Sequence, residues 1–188
     1  MLYVRHKQVA RKLATTVNAR AIKTGRNPRV LDLCCGVGIS TRALQDAFPE
    51  SEFVVGVDTS LEMINVAGFL TNHVSFVKQV LAFFGNRISN KQSGIFVTEP
   101  KLRFQRKAKF TIGNAERTNF PSKSFDLVTV MYAFHEAPHS GRDKILREAY
   151  RVLQPGGTLA VVDISCDYTP SKTMLSGEPY GKIAYFCF

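Results

Sequence analysis

Short apolar runs that end at glycine or aspartate alternate along this chain with segments whose apolar residues fall three and four positions apart. Arg29–Cys34 (RVLDLC) predicts a first strand, and Ser40–Phe48, closed by Pro49, predicts the helix after it. Glu52–Val57 (EFVVGV) predicts a second strand ending at Asp58, with Thr59 or Ser60 as N-cap of a helix to about Leu70. Lys109–Ile112 and Phe125–Tyr132 predict a third and a fourth strand. Arg142–Leu153 carries apolar residues at Ile145, Leu146, Ala149, Tyr150 and Leu153, a helical face. Pro155-Gly156-Gly157 stops that helix, and Thr158–Ile164 predicts a fifth strand.

Strands apolar on both faces, separated by helices, imply an α/β domain with a doubly wound, mostly parallel sheet of about five strands. Ligands in such sheets bind at the carboxyl ends of the strands, near the switch point beside the first strand. The 188 residues suit one domain, and 45% hydrophobic with 21% charged residues is ordinary for a globular protein. No run approaches the roughly 20 apolar residues of a membrane span. The four cysteines show neither metal-ligand spacing nor the density of a disulfide scaffold, which disfavours zinc and points to a reducing compartment. The net charge of +10 suggests nucleic acid until it is divided along the chain. Residues 1–29 hold eight Lys/Arg and no acid, residues 78–109 eight against one, and the remainder nine against fourteen. The basic charge therefore lies outside the patterned core.

The loop after the first strand, within VLDLCCGVGIST (Val30–Thr41), has glycines that allow a tight turn and close backbone approach to a ligand. A dinucleotide fingerprint would want a third glycine where Thr41 stands. Asp32 would repel a pyrophosphate and stabilise an ammonium or sulfonium, so the loop suits a cationic, amino-acid-bearing cofactor. Asp58, ending the second strand, can accept hydrogen bonds from both ribose hydroxyls, or can serve as a helix N-cap. Asn114 could meet an adenine edge or simply favour a turn.

These residues resemble the class I methyltransferases that use S-adenosyl-L-methionine (SAM), in the branch of ubiquinone/menaquinone-biosynthesis and sterol-type small-molecule enzymes. VLDLCCGVGIST is similar to their first motif and VVGVDTS to their second; GNAERTNFPSKSFDLVTVMYAFHEAP and LREAYRVLQPGGTLAVVD are similar to later stretches, in the same order. The resemblance implies a Rossmann-like fold and a SAM cofactor. It sets Asp32, Gly36 and Gly38 around the methionine part, Asp58 with Thr59 at the ribose, Asn114 and Ala115 at the adenine, and Met131 near the sulfonium. The family usually has Asp where this chain has Asn114.

Methyl transfer needs chiefly placement of two reactants, with a general base where the acceptor is an oxygen or an acidic carbon. His135 and Glu136, with His139 nearby, are candidates for that base, or else plain pocket wall. Residues 78–108 match no element of the family and read as an insertion; residues 165–188 form a short irregular tail without the helix and antiparallel strand pair that usually complete the sheet. Translated intron sequence and a premature end after Tyr180 would account for both. Residues 1–28, free of acids, put Val9, Leu13 and Val17 on one helical face, which suits a helix covering the sheet or an organelle presequence. The expected protein is a cytoplasmic or organellar SAM-dependent methyltransferase acting on a small-molecule or lipid-like acceptor. The alternatives are a catalytically inactive SAM-fold binding module and an RNA methyltransferase; the stretch YAFHEAP disfavours the latter, and nucleic acid is not the expected partner.

Overall fold

The computed structural model describes residues 2–73 and 108–164. Their elements are α1 (Leu2–Thr24), β1 (Arg29–Leu33), α2 (Ile39–Ala47), β2 (Phe53–Asp58), α3 (residues 61–73), β3 (Lys109–Ile112), β4 (Phe125–Met131), α4 (His139–Val152) and β5 (Leu153–Val162). The strands form one sheet in the order β3-β2-β1-β4-β5, and every pairing is parallel. The chain winds outward from β1 in both directions, so the switch point lies between β1 and β4, as the alternating pattern predicts.

Strand alternation sorts the core into two layers. Val30, Val54, Leu127 and Met131 face one side and pack with Ala10, Ala14 and Val17 of α1 and with Ala43, Leu44 and Phe48 on or next to α2. Leu31, Leu33, Val55, Val57, Val128 and Val130 face the other and pack with Ile145, Ala149 and Val152 of α4. Burial on both faces holds for β1, β2 and β4; β3, at the edge, exposes Lys109, Thr111 and Ile112.

Several boundaries differ from the sequence pattern. The buried stripe of α1 is Ala10, Ala14 and Val17, while Val9 and Leu13 are only partly covered, because small residues let α1 approach α2 closely. Ser60 caps α3, its Oγ accepting the Met63 N–H at 3.2 Å, and α3 continues past Leu70. The helix before the last strand starts at His139, three residues early, because the Pro138 carbonyl accepts the Gly141 and Arg142 N–H groups. Pro155-Gly156-Gly157 does not separate α4 from the strand: β5 begins at Leu153 and absorbs the three residues through a register shift, Phe125 pairing Leu153 and Leu127 pairing Thr158. Gly156, at φ +72°, supplies the left-handed kink that this needs.

At the amino end of the sheet the Asp126 carboxylate accepts from Arg26 Nη2 at 2.8 Å, from the Arg29 backbone N–H at 2.8 Å, and from Gln154 Nε2. That cluster ties the end of α1 to β1, β4 and β5. No described helix is long and apolar enough to cross a membrane. The expected insertion, apart from Ala108, and the expected tail at 165–188 lie outside the described residues.

Candidate functional site

The loop after β1 folds back over the sheet. The Cys35 N–H donates to the Val57 carbonyl at 2.9 Å, and the Gly38 N–H to the Cys35 carbonyl at 2.9 Å. Gly36 and Gly38 take φ of 51° and 75°, and Cys34 takes 57°, a conformation that costs a non-glycine residue on the order of 1 kcal/mol or more. The two glycines serve different ends. A Cβ on Gly38, the residue capping α2, would sit 2.5 Å from a Phe110 ring carbon, whereas a Cβ on Gly36 would meet nothing within 4 Å. Gly38 closes the packing of helix on sheet; Gly36 leaves open space above the loop, with the amino end of α2 beside it.

Asp32, Gly56 and Thr129 stand in one row across β2, β1 and β4, on the face beneath α2. Asp32 is fully buried and accepts three hydroxyl hydrogen bonds, from Ser40 at 2.6 Å, Thr41 at 2.7 Å and Thr129 at 2.6 Å. Burial pushes its carboxyl above the usual range, and the hydroxyls oppose that shift. Asp32, expected from the sequence beside a ligand cation, has its carboxylate buried among these hydroxyls, where it fastens the start of α2 to β1 and β4. Gly56 is the gap in the row, since a Cβ there would lie 2.7 Å from Thr41 Oγ1 and 2.8 Å from Cys35 Sγ.

Asp58, half-buried at the end of β2, reaches over to this loop. Its Oδ2 accepts the Gly36 N–H at 2.8 Å and its Oδ1 the Ser60 N–H at 3.0 Å. Ser60 takes the cap of α3, so Asp58 is held at the rim of the loop with acceptor capacity to spare. Thr59 beside it is exposed. Asn114 follows β3 and spends Oδ1 on the Glu116 N–H at 2.8 Å, a turn bond that leaves its amide Nδ2 without a hydrogen bond among the described residues. Ala115 is buried in the layer under α4. Met131 is buried too, on the α1 and α2 side, where it belongs to the core. Thus Gly36, Gly38 and Asp58 meet in one place, Asn114 and Ala115 lie two strands from β1, and the side chains of Asp32 and Met131 face inward.

A family model described as a methyltransferase domain matches residues 31–161, which include every one of these positions. The chain belongs to that family. A demethylmenaquinone methyltransferase of Lactobacillus johnsonii is 26% identical over 167 residues, covering 87% of this chain and 54% of the relative. A ubiquinone/menaquinone biosynthesis C-methyltransferase of Hydrogenovibrio crunogenus is 31% identical over 136 residues, covering 72% and 42%. The chain thus spans about half the length of the curated relatives it matches. Among solved structures, YcgJ protein of Bacillus subtilis superposes with a TM-score of 0.53 at 26% identity, covering 80% of this chain and 51% of that one. A SAM-dependent methyltransferase of Aquifex aeolicus gives 0.53 at 20% identity, covering 76% and 61%. The fold is that of the SAM-dependent methyltransferases.

Within this methyltransferase domain the two loop cysteines are inert by placement. Burial first, and then the nearby Asp58 and Asp32, push the Cys34 thiol up to about 12 and Cys35 further, so both stay protonated at neutral pH. No group of three or more His, Cys, Asp or Glu that could hold a metal occurs among the described residues. Two features escaped the sequence reading. His135, in the loop after β4, has its Nδ1 at 2.7 Å from Asp163 Oδ1, on the residue following β5; the signal in the sequence was an acid near the carboxyl end of its strand, as Asp58 is near that of β2. Glu148, buried on α4, accepts the Thr118 N–H at 2.7 Å and the Thr118 hydroxyl at 2.5 Å while pairing with Arg151 at 2.7 Å. Arg151 also donates to the Phe120 carbonyl at 2.8 Å, so this pair holds the stretch after Asn114 against α4.

Proposed function

We propose that this domain binds SAM over the Cys34–Gly38 loop and that the protein transfers its methyl group to a small-molecule acceptor of the quinol type. The observation that carries the reading is Asp58, whose carboxylate is fixed beside Gly36 by the loop's own N–H and keeps lone pairs for a ribose diol. The open space above Gly36 would take the amino-acid portion, with the N–H groups at the start of α2, which no side chain among the described residues caps, donating to its carboxylate. Asp32 then acts indirectly, by fixing Ser40 and Thr41 at that helix start. Asn114 Nδ2 and the covered wall at Ala115 suit the adenine, and Met131 backs the floor from within the core. When bound, the cofactor supplies an already activated methyl group; the chain's own task is to bind, orient and exclude water.

The quinol acceptor is suggested by the relatives named for demethylmenaquinone and ubiquinone/menaquinone methylation. Calorimetric titration of the chain with SAM and with its demethylated product tests the cofactor reading. Saturable one-to-one binding of both is expected, and absence of heat with either overturns it.

A further inference from the structure

We infer that His135 and Asp163 form an oriented base that takes the proton from the methyl acceptor, an inference that rests on the reading just given. Both side chains are mostly buried, each about one-fifth exposed. Asp163 grips His135 twice: Oδ1 lies 2.7 Å from ring Nδ1, and Oδ2 accepts the His135 backbone N–H at 3.0 Å. The carboxylate is itself fixed, since its Oδ1 also accepts the Ile164 N–H at 2.7 Å. A carboxylate facing Nδ1 is an acceptor only, so the neutral ring carries its proton on Nδ1 and presents a bare lone pair at Nε2. The charged neighbour of Nε2 among the described residues is the exposed Glu136, whose Oε1 is 3.6 Å away. The dyad spans the loops at the carboxyl ends of β4 and β5, and β4 adjoins β1, whose loop holds the cofactor in our reading. Tyr132, the residue after β4, and Cys34, the residue after the adjacent β1, both take φ of 57°.

An acceptor that needs this base carries an ionisable proton next to its nucleophile: a quinol, a phenol or an enol. The hydroxyl proton of a quinol passes to His135 Nε2, and the electron pair released on the ring attacks the methyl carbon. The bond from that carbon to sulfur breaks with its electrons left on sulfur, giving a neutral thioether. The proton on the newly methylated ring carbon then returns to the oxygen, so one proton in all leaves, carried by the imidazolium that Asp163 stabilises and lost to water.

Asp163 is accordingly a positioning residue, and its test needs a readout that packing alone would not move. In the 15N-labelled 188-residue chain, long-range proton–nitrogen correlation spectra of the neutral ring should show His135 protonated on Nδ1 and bare on Nε2. Asp163→Asn, whose amide can donate to Nδ1, should reverse that tautomer while leaving SAM affinity unchanged. With SAM and 1,4-naphthohydroquinone as probe, His135→Gln and Asp163→Asn should each lower kcat about 10²–10⁴-fold, with little change in the KM for SAM. The double variant should be no worse than the poorer single one, because the two residues act as a unit. A wild-type ring protonated on Nε2, or His135→Gln turning over within about threefold of wild type, overturns the proposal. Should the wild-type chain bind SAM yet leave this probe unmethylated, the tautomer decides alone. Failure to bind SAM would overturn the cofactor reading, whereas the wrong tautomer with SAM bound overturns only the base.

Discussion

Asp58 connects the loop after β1 to the start of α3 by accepting one backbone N–H from each, and this makes it the residue on which cofactor affinity should depend most. Asp58→Ala removes a charged acceptor from two ribose hydroxyls and releases Gly36, an expected loss of about 2–4 kcal/mol, or roughly 30- to 1,000-fold in the Kd for SAM by calorimetry. A Kd within about twofold of wild type would remove Asp58 from the site. Asp58→Asn keeps one acceptor oxygen and should lose less. Asp32, equally acidic and in the same motif, is the contrast. Both acids were legible as chemistry-bearing positions, because Asp32 interrupts the apolar run of the first strand and Asp58 ends that of the second; which of them is sealed and which lies at the rim was not. That depends on Ser40, Thr41 and Thr129 closing over Asp32, and Thr129 comes from a strand 97 residues further along the chain.

At the scale of elements, α1 is integral to the domain because its small residues fit against α2. Ala10 is fully buried between the helices and the sheet. Ala10→Leu should overpack that contact and cost about 1–3 kcal/mol, lowering Tm in a thermal melt. A Tm within about 1 °C of wild type would show that α1 is not docked on α2. The sequence named a helix here and drew its face from the larger residues Val9, Leu13 and Val17, of which only Val17 is fully in the core, since apolar periodicity weights bulk and cannot see that close approach favours alanine. The same limit explains β5. Pro155-Gly156-Gly157 carries the local signature of a break, yet pairing with β4 holds the chain extended on both sides of a bulge.

Across the whole molecule, acid stability should follow Glu148. Its hydrogen bond with Arg151, supported by Thr118, holds the carboxyl well below the usual range, down to about 2. A depressed folded value means that the unfolded chain binds the proton first. The stabilisation is therefore complete above the ordinary value near 4.5 and is lost as pH falls from there toward about 2. Urea unfolding across that range should show a falling midpoint, and Glu148→Gln should flatten the slope while lowering stability at neutral pH; an unchanged slope would contradict the assignment. The alternation of apolar runs with helical faces was enough to determine the class of fold, the five strands and the loops at their carboxyl ends, because strand and helix periods are local and the winding of such sheets is restricted. Only the tertiary structure decided which acid is sealed and which lies at the rim, that His135 is gripped by Asp163, and that Glu148 fastens the stretch after Asn114. Each of those depends on side chains from different strands and helices meeting at 2.5–3.0 Å, a coincidence of register and packing that no local pattern of residues encodes.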